Sequence, residues 1–277
     1  MARTDTTSAT QTARSSRCPV CAGPFAQTER GRRRIYCSGA CRSAAKRRRA
    51  DGPKVRGLVT LAHGDARTFL ATLPDESVDL VVTDPPYVFD RGTTYFREWF
   101  PYLPDEAWPE ILRELYRVLR ADRHACVICD KRTEPVFVAA ALGAEFHLAK
   151  TLIWNKETPG LGGGAYRSQH ELILFLTKGT RSGNRRDLGD VLSFPRVMSR
   201  GHYPTEKPVG LLKTLIEQSS EPGELVLDPF CGSGSTGRAA RELGRRAMLC
   251  DLDASAAAAT LRVAFVPLGS AGATRKG

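Results

Sequence analysis

The chain has 277 residues, room for one large domain and a small appendage, and its 42% hydrophobic content is ordinary for a globular protein. No apolar run is long enough to cross a membrane and no signal-peptide pattern opens the sequence, which speaks against a membrane or secreted protein and for the cytoplasm. The net charge is +11, and residues 1–57 carry all of it, with fourteen Lys and Arg against three acids; a segment drawn to a polyanion is attached to an electrically balanced remainder.

Residues 1–16 are Thr, Ser, Ala and Arg with almost nothing to bury, and read as a disordered arm. Residues 17–49 hold two short-spaced cysteine pairs, Cys18-x-x-Cys21 and Cys37-x-x-x-Cys41, fifteen residues apart, followed by KRRR at 46–49. With eight cysteines in a reducing compartment, metal binding or plain burial is expected rather than a disulfide framework. Two such pairs across a loop place four thiolates tetrahedrally on zinc. A segment of about thirty residues buries too little core to fold alone, so the metal would supply its stability. The second half, Tyr36-Cys37-Ser38 followed by Cys41-Arg42, resembles that of small zinc modules. The flanking bases at 32–34 and 46–49 suit contacts to a nucleic-acid backbone. Residues 50–57 read as a linker.

From Leu58 to residue 265 the pattern is α/β. A short strand leads to HGDA at 63–66, a helix follows at 66–73, and VDLVVT at 78–83 reads as a buried strand. A helix is predicted over 104–119, with acids in its first turn, and a strand over 124–129. There, alternation sends Cys126 and Cys129 to opposite faces of the sheet, where burial accounts for both. Strands at 147–154 and 171–177 flank a glycine-rich loop at 162–164. A less regular stretch runs over 178–205, a helix over 209–220, and 266–277 read as a flexible tail. ELVLDPFCGSGSTGRAARELG gives strand, glycine loop and helix, and RRAMLCDLD closes with a strand and an acid. Strands alternating with helices indicate a doubly wound, mostly parallel sheet.

Two places on that sheet carry chemistry. VDLVVTDPPYVF puts Asp84, Pro85, Pro86 and Tyr87 on a stiff turn at the carboxyl end of a strand, where open α/β sheets bind ligands. Taken alone, the turn also fits a strand stop with a capping Asp. In DPFCGSGST, Gly232 and Gly234 let the backbone turn tightly against a ligand, and Asp251 follows at the end of the next strand, the pattern of a nucleoside site. No Gly-Lys-Ser/Thr is present, so this is not a Walker loop. Asp228 at the strand end would repel a pyrophosphate and welcome a cation, which favours S-adenosylmethionine over a dinucleotide.

GDA, DPPY, TEKP at 205–208 and DPFCGSGST stand in one order and spacing over roughly residues 58–262, and with them the chain resembles the β-class amino-methyltransferases of DNA. The resemblance implies a catalytic turn of Asp84, Pro85, Pro86 and Tyr87. It implies an S-adenosylmethionine pocket lined by Asp228, Phe230, Gly232, Gly234 and Ser235, with Asp251 on the ribose, Asp65 near the adenine and Lys207 at the methionine end. The partner implied is double-stranded DNA with the target base flipped out, at the cytoplasmic nucleoid. A homodimer and a cognate restriction endonuclease are further candidate partners. DPPY leans toward adenine N6; cytosine N4 is the alternative. From another class, the chain could be a zinc-dependent nucleic-acid-binding protein with an inactive methyltransferase fold. Two departures stand out. Ala254, Ser255 and Ala256 replace the acid and tyrosine that often follow the ribose acid, and a large separate target-recognition domain is missing.

Overall fold

Val78–Thr83 forms a strand (β4) whose six residues are all buried, as a central strand covered on both faces requires. The computed structural model describes residues 15–17, 21, 23–26, 37–41, 58–87, 103–160, 165–197 and 205–253. Most of the expected arm, the linker at 50–57, the glycines at 162–164, residues 254–256 and the tail at 266–277 lie outside them, as do Cys18 and the bases at 32–34 and 46–49. The chain divides into two compact units, Met1–Lys54 and Val55–Gly277.

In the first unit, β1 (Ser15–Arg17) and β2 (Pro24–Ala26) pair antiparallel, and Cys21 falls on the connection between them. A short helical turn at 39–41 carries Cys41.

The second unit is an α/β sheet. Its strands are β3 (Val59–His63), β4, β5 (Leu119–Cys129), β6 (His147–Asn155), β7 (His170–Lys178), β8 (Val191–Ser193), β9 (Leu225–Asp228) and β10 (Arg246–Asp251). They stand in the order β3-β10-β9-β4-β5-β7-β6-β8. The first five run parallel; β7 is antiparallel to both β5 and β6, and β8 runs parallel to β6. One face is covered by α1 (Ala66–Ala71), α2 (Trp108–Val118) and α3 (Glu134–Gly143), over a core of Leu70, Val81, Trp108, Leu112, Phe137 and Leu174. The other face is covered by α4 (Val209–Ser219) and α5 (Ser235–Glu242), over Leu80, Val82, Ile128, Leu211, Leu215 and Ala239. Cys126 belongs to the second core and Cys129 to the first, each fully buried.

Two elements exceed the sequence pattern. The strand expected at 124–129 begins at Leu119, directly after α2. Its polar start is held from below: the buried Asp79 carboxylate accepts from Arg120 at 2.5 Å and from the Leu225 amide at 2.9 Å, and Arg123 lies 3.2 Å away. That carboxylate ties the starts of β4, β5 and β9 together, which periodicity cannot reveal. The stretch at 178–205 contributes β8, a three-residue strand on the sheet edge.

Candidate active site

All the parallel strands end at one edge of the sheet, and the antiparallel β7 begins there, so residues far apart in sequence meet. β4 delivers the turn at 84–87, β9 delivers Asp228, β10 delivers Asp251, and β3 leads through Gly64 into Asp65. Together with the TEKP segment they line one cavity of about 600 Å³, with Asp65, Asp84, Tyr87, Lys207, Phe230 and Asp251 in its wall. That volume suits a ligand of nucleoside size.

The glycine loop is built as its sequence implies. Gly232 and Gly234 adopt φ of 48° and 79°, a region that costs a side-chain-bearing residue energy, and Gly234 caps α5. The Gly232 amide donates to Asp251 Oδ2 at 2.8 Å, and the Asp253 amide donates to Oδ1 at 2.9 Å, which fixes the acid at the end of β10. Ser235 donates to Glu206 Oε1 at 3.3 Å and lies 2.8 Å from Ser233 Oγ, linking the loop to TEKP. Phe230 packs towards Trp108, ring centroids 6.0 Å apart, and its amide donates to Asp228 Oδ1 at 3.1 Å. Thr83, the last residue of β4, donates to the same Asp228 oxygen at 2.7 Å. Burial pushes the Asp228 carboxyl up to about 7, against the hydrogen bonds of Thr236 and Thr83. Asp251 is likewise raised by burial. Asp65 caps α1, accepting from the Arg67 and Thr68 amides, and Arg67 pairs with it at 3.0 Å; that guanidinium holds the carboxyl below its usual range.

The turn at 84–87 sits in a second network. Tyr87 Oη is 3.0 Å from Asp84 Oδ1 and 2.8 Å from Glu171 Oε2. Lys207, expected at the methionine end of the pocket, reaches this turn: its ammonium donates to Asp84 Oδ2 and lies 3.7 Å from Glu171 Oε2. Lys156 donates to the other Glu171 oxygen at 2.5 Å. Burial lifts the Asp84 carboxyl above its usual range and outweighs the pull of Lys207. For Glu171, burial is overcome by Lys207 and Lys156, and its carboxyl lies below the usual range. Burial would lower Lys207, but Asp84 and Glu171 hold its ammonium protonated. The cluster carries two carboxylates and two ammoniums and is neutral as a whole.

Glu171 and Lys156 have no place in the sequence motifs. Antiparallel pairing brings them here: Trp154 faces Glu171 and Asn155 faces His170 in the β6–β7 register. The available signal was Glu171 itself, an acid opening the otherwise apolar strand ELILFLT.

The comparisons with known proteins agree with this geometry. A family model described as DNA methylase, named for N6 and N4 methylation, matches residues 78–262. YubD of Escherichia coli K12, named as a methylase, is 37% identical over 184 residues, covering 66% of this chain and 80% of that protein. The DNA adenine methyltransferase YhdJ of the same organism is 30% identical over 224 residues, covering 68% of this chain and 76% of YhdJ. Among solved structures, TTHA0409 of Thermus thermophilus, described as a DNA modification methylase complexed with S-adenosyl-L-methionine, is similar with a TM-score of 0.57 and 26% identity, covering 74% of this chain and 92% of that one. With the turn at 84–87 and the glycine loop both inside the matched region, the chain belongs to the DNA methylase family, whose members methylate amino groups of DNA bases using S-adenosylmethionine.

Proposed function

We propose that the protein methylates adenine N6 in double-stranded DNA. The observation that carries this reading is the union of two motifs, 144 residues apart at Asp84 and Asp228, in the wall of one cavity. The methyl donor fits the glycine-loop half: buried Asp228 offers a carboxylate to a cationic end, and Asp251 stands where a ribose diol would bind. The turn suits an amino acceptor. The lone pair of an aromatic amine is delocalised into its ring, and two acceptors on its hydrogens localise it towards the methyl group. Asp84 and the Pro85 carbonyl supply those acceptors on a rigid turn, so little reorganisation is needed. As the nitrogen–carbon bond forms, the carbon–sulfur bond breaks, the sulfonium leaves as a neutral thioether, and the nitrogen carries one proton too many. Asp84, its carboxyl raised by burial, accepts that proton. A base reaches this depth only when flipped from the duplex, with Tyr87 as its stacking surface. An initial Asp in the turn and the similarity to YhdJ favour adenine over cytosine N4. Methylation-aware sequencing of DNA from cells expressing the chain tests this directly. N6-methyladenine in a defined motif supports it, and N4-methylcytosine replaces it with the alternative.

The N-terminal unit is read as a zinc module that anchors phosphates. The sulfurs of Cys21, Cys37 and Cys41 all lie within 4.8 Å of one another, with Cys21–Cys37 at 3.5 Å and Cys37–Cys41 at 3.4 Å. Sulfurs on a zinc tetrahedron with Zn–S of about 2.3 Å lie roughly 3.8 Å apart, so this donor set fits zinc. Cys18 is proposed as the fourth ligand and lies outside the described residues. Elemental analysis of the purified chain should find one zinc, and Cys37→Ser should lose most of it. Among the described residues no helix is long and apolar enough to cross a membrane. We place the protein in the cytoplasm, at the DNA.

A further inference from the structure

We propose that Lys207 is a latch on the catalytic acid and that Glu171, steadied by Lys156, is the positioning residue onto which the latch withdraws. This deepens the methyltransferase reading and rests on it. The target amine must donate a hydrogen to Asp84. The Lys207 ammonium already donates to Asp84 Oδ2, and the Tyr87 hydroxyl touches Oδ1 at 3.0 Å. The incoming amine therefore competes with a cation. Pulling a buried ammonium away from its carboxylate is costly unless a second carboxylate takes it. Glu171 Oε2 stands 3.7 Å from the same nitrogen, so a shift of about 1 Å makes a charge-assisted hydrogen bond there. Lys156 occupies Glu171 Oε1 at 2.5 Å, which leaves Oε2 facing Tyr87 and Lys207. The four charges sum to zero before and after the shift, so the shift leaves no net charge in the cavity wall. Tyr87 has a single hydroxyl proton between two carboxylate oxygens. When Lys207 arrives at Glu171, the Tyr87 hydroxyl keeps its proton and turns its hydrogen bond to Asp84 Oδ1, and the turn then offers the amine a free Oδ2.

A static ion pair would need only one carboxylate. The second one, with a lysine of its own, is what a transfer needs. The groups that face Asp84 are Lys207 before α4, Tyr87 in its own turn, Glu171 on β7, Asp228 on β9 and Cys129 on β5; Lys156 acts through Glu171.

The test compares wild type, Glu171→Gln and Glu171→Gln with Lys207→Met, each as full-length protein. The probes are tritiated S-adenosylmethionine and DNA from a methylation-deficient host. In E171Q the latch has no second seat, so kcat should fall about ten- to hundredfold, the worth of one charge-assisted hydrogen bond, while cofactor affinity by calorimetry stays within about twofold. The acid limb of its kcat profile should move to lower pH, because the like charge that pushes Asp84 up has gone. The double variant, with no latch to move, should recover part of the lost kcat. Wild-type kcat in E171Q, a loss of cofactor affinity in step with kcat, or a double variant no faster than E171Q would each overturn the latch. Thermal melting checks that the variants fold; if E171Q does not, Glu171→Asp, which keeps the second seat one carbon further away, should show the kcat loss in milder form, and its unchanged kcat would count against the proposal. A wild-type chain that transfers no methyl group overturns the methyltransferase reading and the latch with it, whereas an active wild type beside an unaffected E171Q overturns the latch alone.

Discussion

At Asp84 the expected chemistry is confined to one carboxylate, so its removal separates chemistry from binding. Asp84→Ala should nearly abolish methyl transfer and leave donor affinity within a few-fold, because in the proposed mechanism the carboxylate acts on the amine and not on the sulfonium. Single-turnover kinetics beside calorimetry would show the split, and turnover close to wild type would remove Asp84 from the mechanism. Asp228 makes a prediction in pH. Burial raises its carboxyl to about 7, so it is neutral below that pH and charged above it. A cationic ligand gains only from the charged form. Donor affinity should therefore strengthen as pH rises to about 7 and then level off, with proton release on binding below that point. Folding stability has the opposite sign: between the ordinary value of 3.8 and about 7 the native chain holds a proton that the unfolded chain releases, so stability falls as pH rises through that window. Asp228→Asn should flatten both curves, and calorimetry in buffers of different ionisation enthalpy reads the proton. These two acids were legible in the sequence because Asp84 directly follows a strand and Asp228 ends one, each inside a compact motif. Glu171 and Lys156 were not, because only the antiparallel β6–β7 register brings them to the turn, and no local spacing encodes a cross-strand meeting.

The helix α1 shows how one side chain serves local structure and site together. Asp65 accepts from two backbone amides at the N-terminus of a helix only six residues long, and it also faces the cavity. Asp65→Ala should cost about 1 kcal/mol of stability, the usual worth of an N-cap, whereas Asp65→Asn keeps the cap and should cost much less. If Asp65 also touches the adenine ring, both variants weaken donor binding, and the comparison of melting with calorimetry separates the two roles. Element boundaries followed the hydrophobic pattern where one face of an element alternates or repeats, as in α4 and β7. They departed where polar residues do structural work: β5 starts at Leu119 because Arg120 and Arg123 are drawn to Asp79, not because the sequence there looks like a strand. The cysteines at 126 and 129 went to opposite cores as period-two alternation requires.

Across the whole molecule, charge and chemistry are separated. Residues 1–57 hold the entire net charge of +11, and the remainder is balanced. Non-specific DNA affinity should come largely from the N-terminal unit, with a salt dependence of roughly 0.9 log units per phosphate neutralised. A chain starting at Val55 keeps Leu58, whose carbonyl accepts from Ala247 at 2.9 Å, and should retain fold and donor binding. It should bind DNA more weakly, with a shallower salt slope, and still modify the same motif. Unchanged affinity and slope would locate the clamp on the methyltransferase unit, and an altered motif would make the cysteine module a reader of bases. The strand order carries a consequence for synthesis. β3 is the first strand of the large sheet to be made, yet its only neighbour among the described strands is β10, the last of them. β4 likewise waits for β9 on one side. A nascent chain on the ribosome therefore lacks the strand that pairs with β3, and the second wall of its cavity, until residue 251 has cleared the exit tunnel. The basic N-terminal unit has been made long before then, so in its proposed role as a phosphate anchor it would let the growing chain meet nucleic acid well before it is able to modify it.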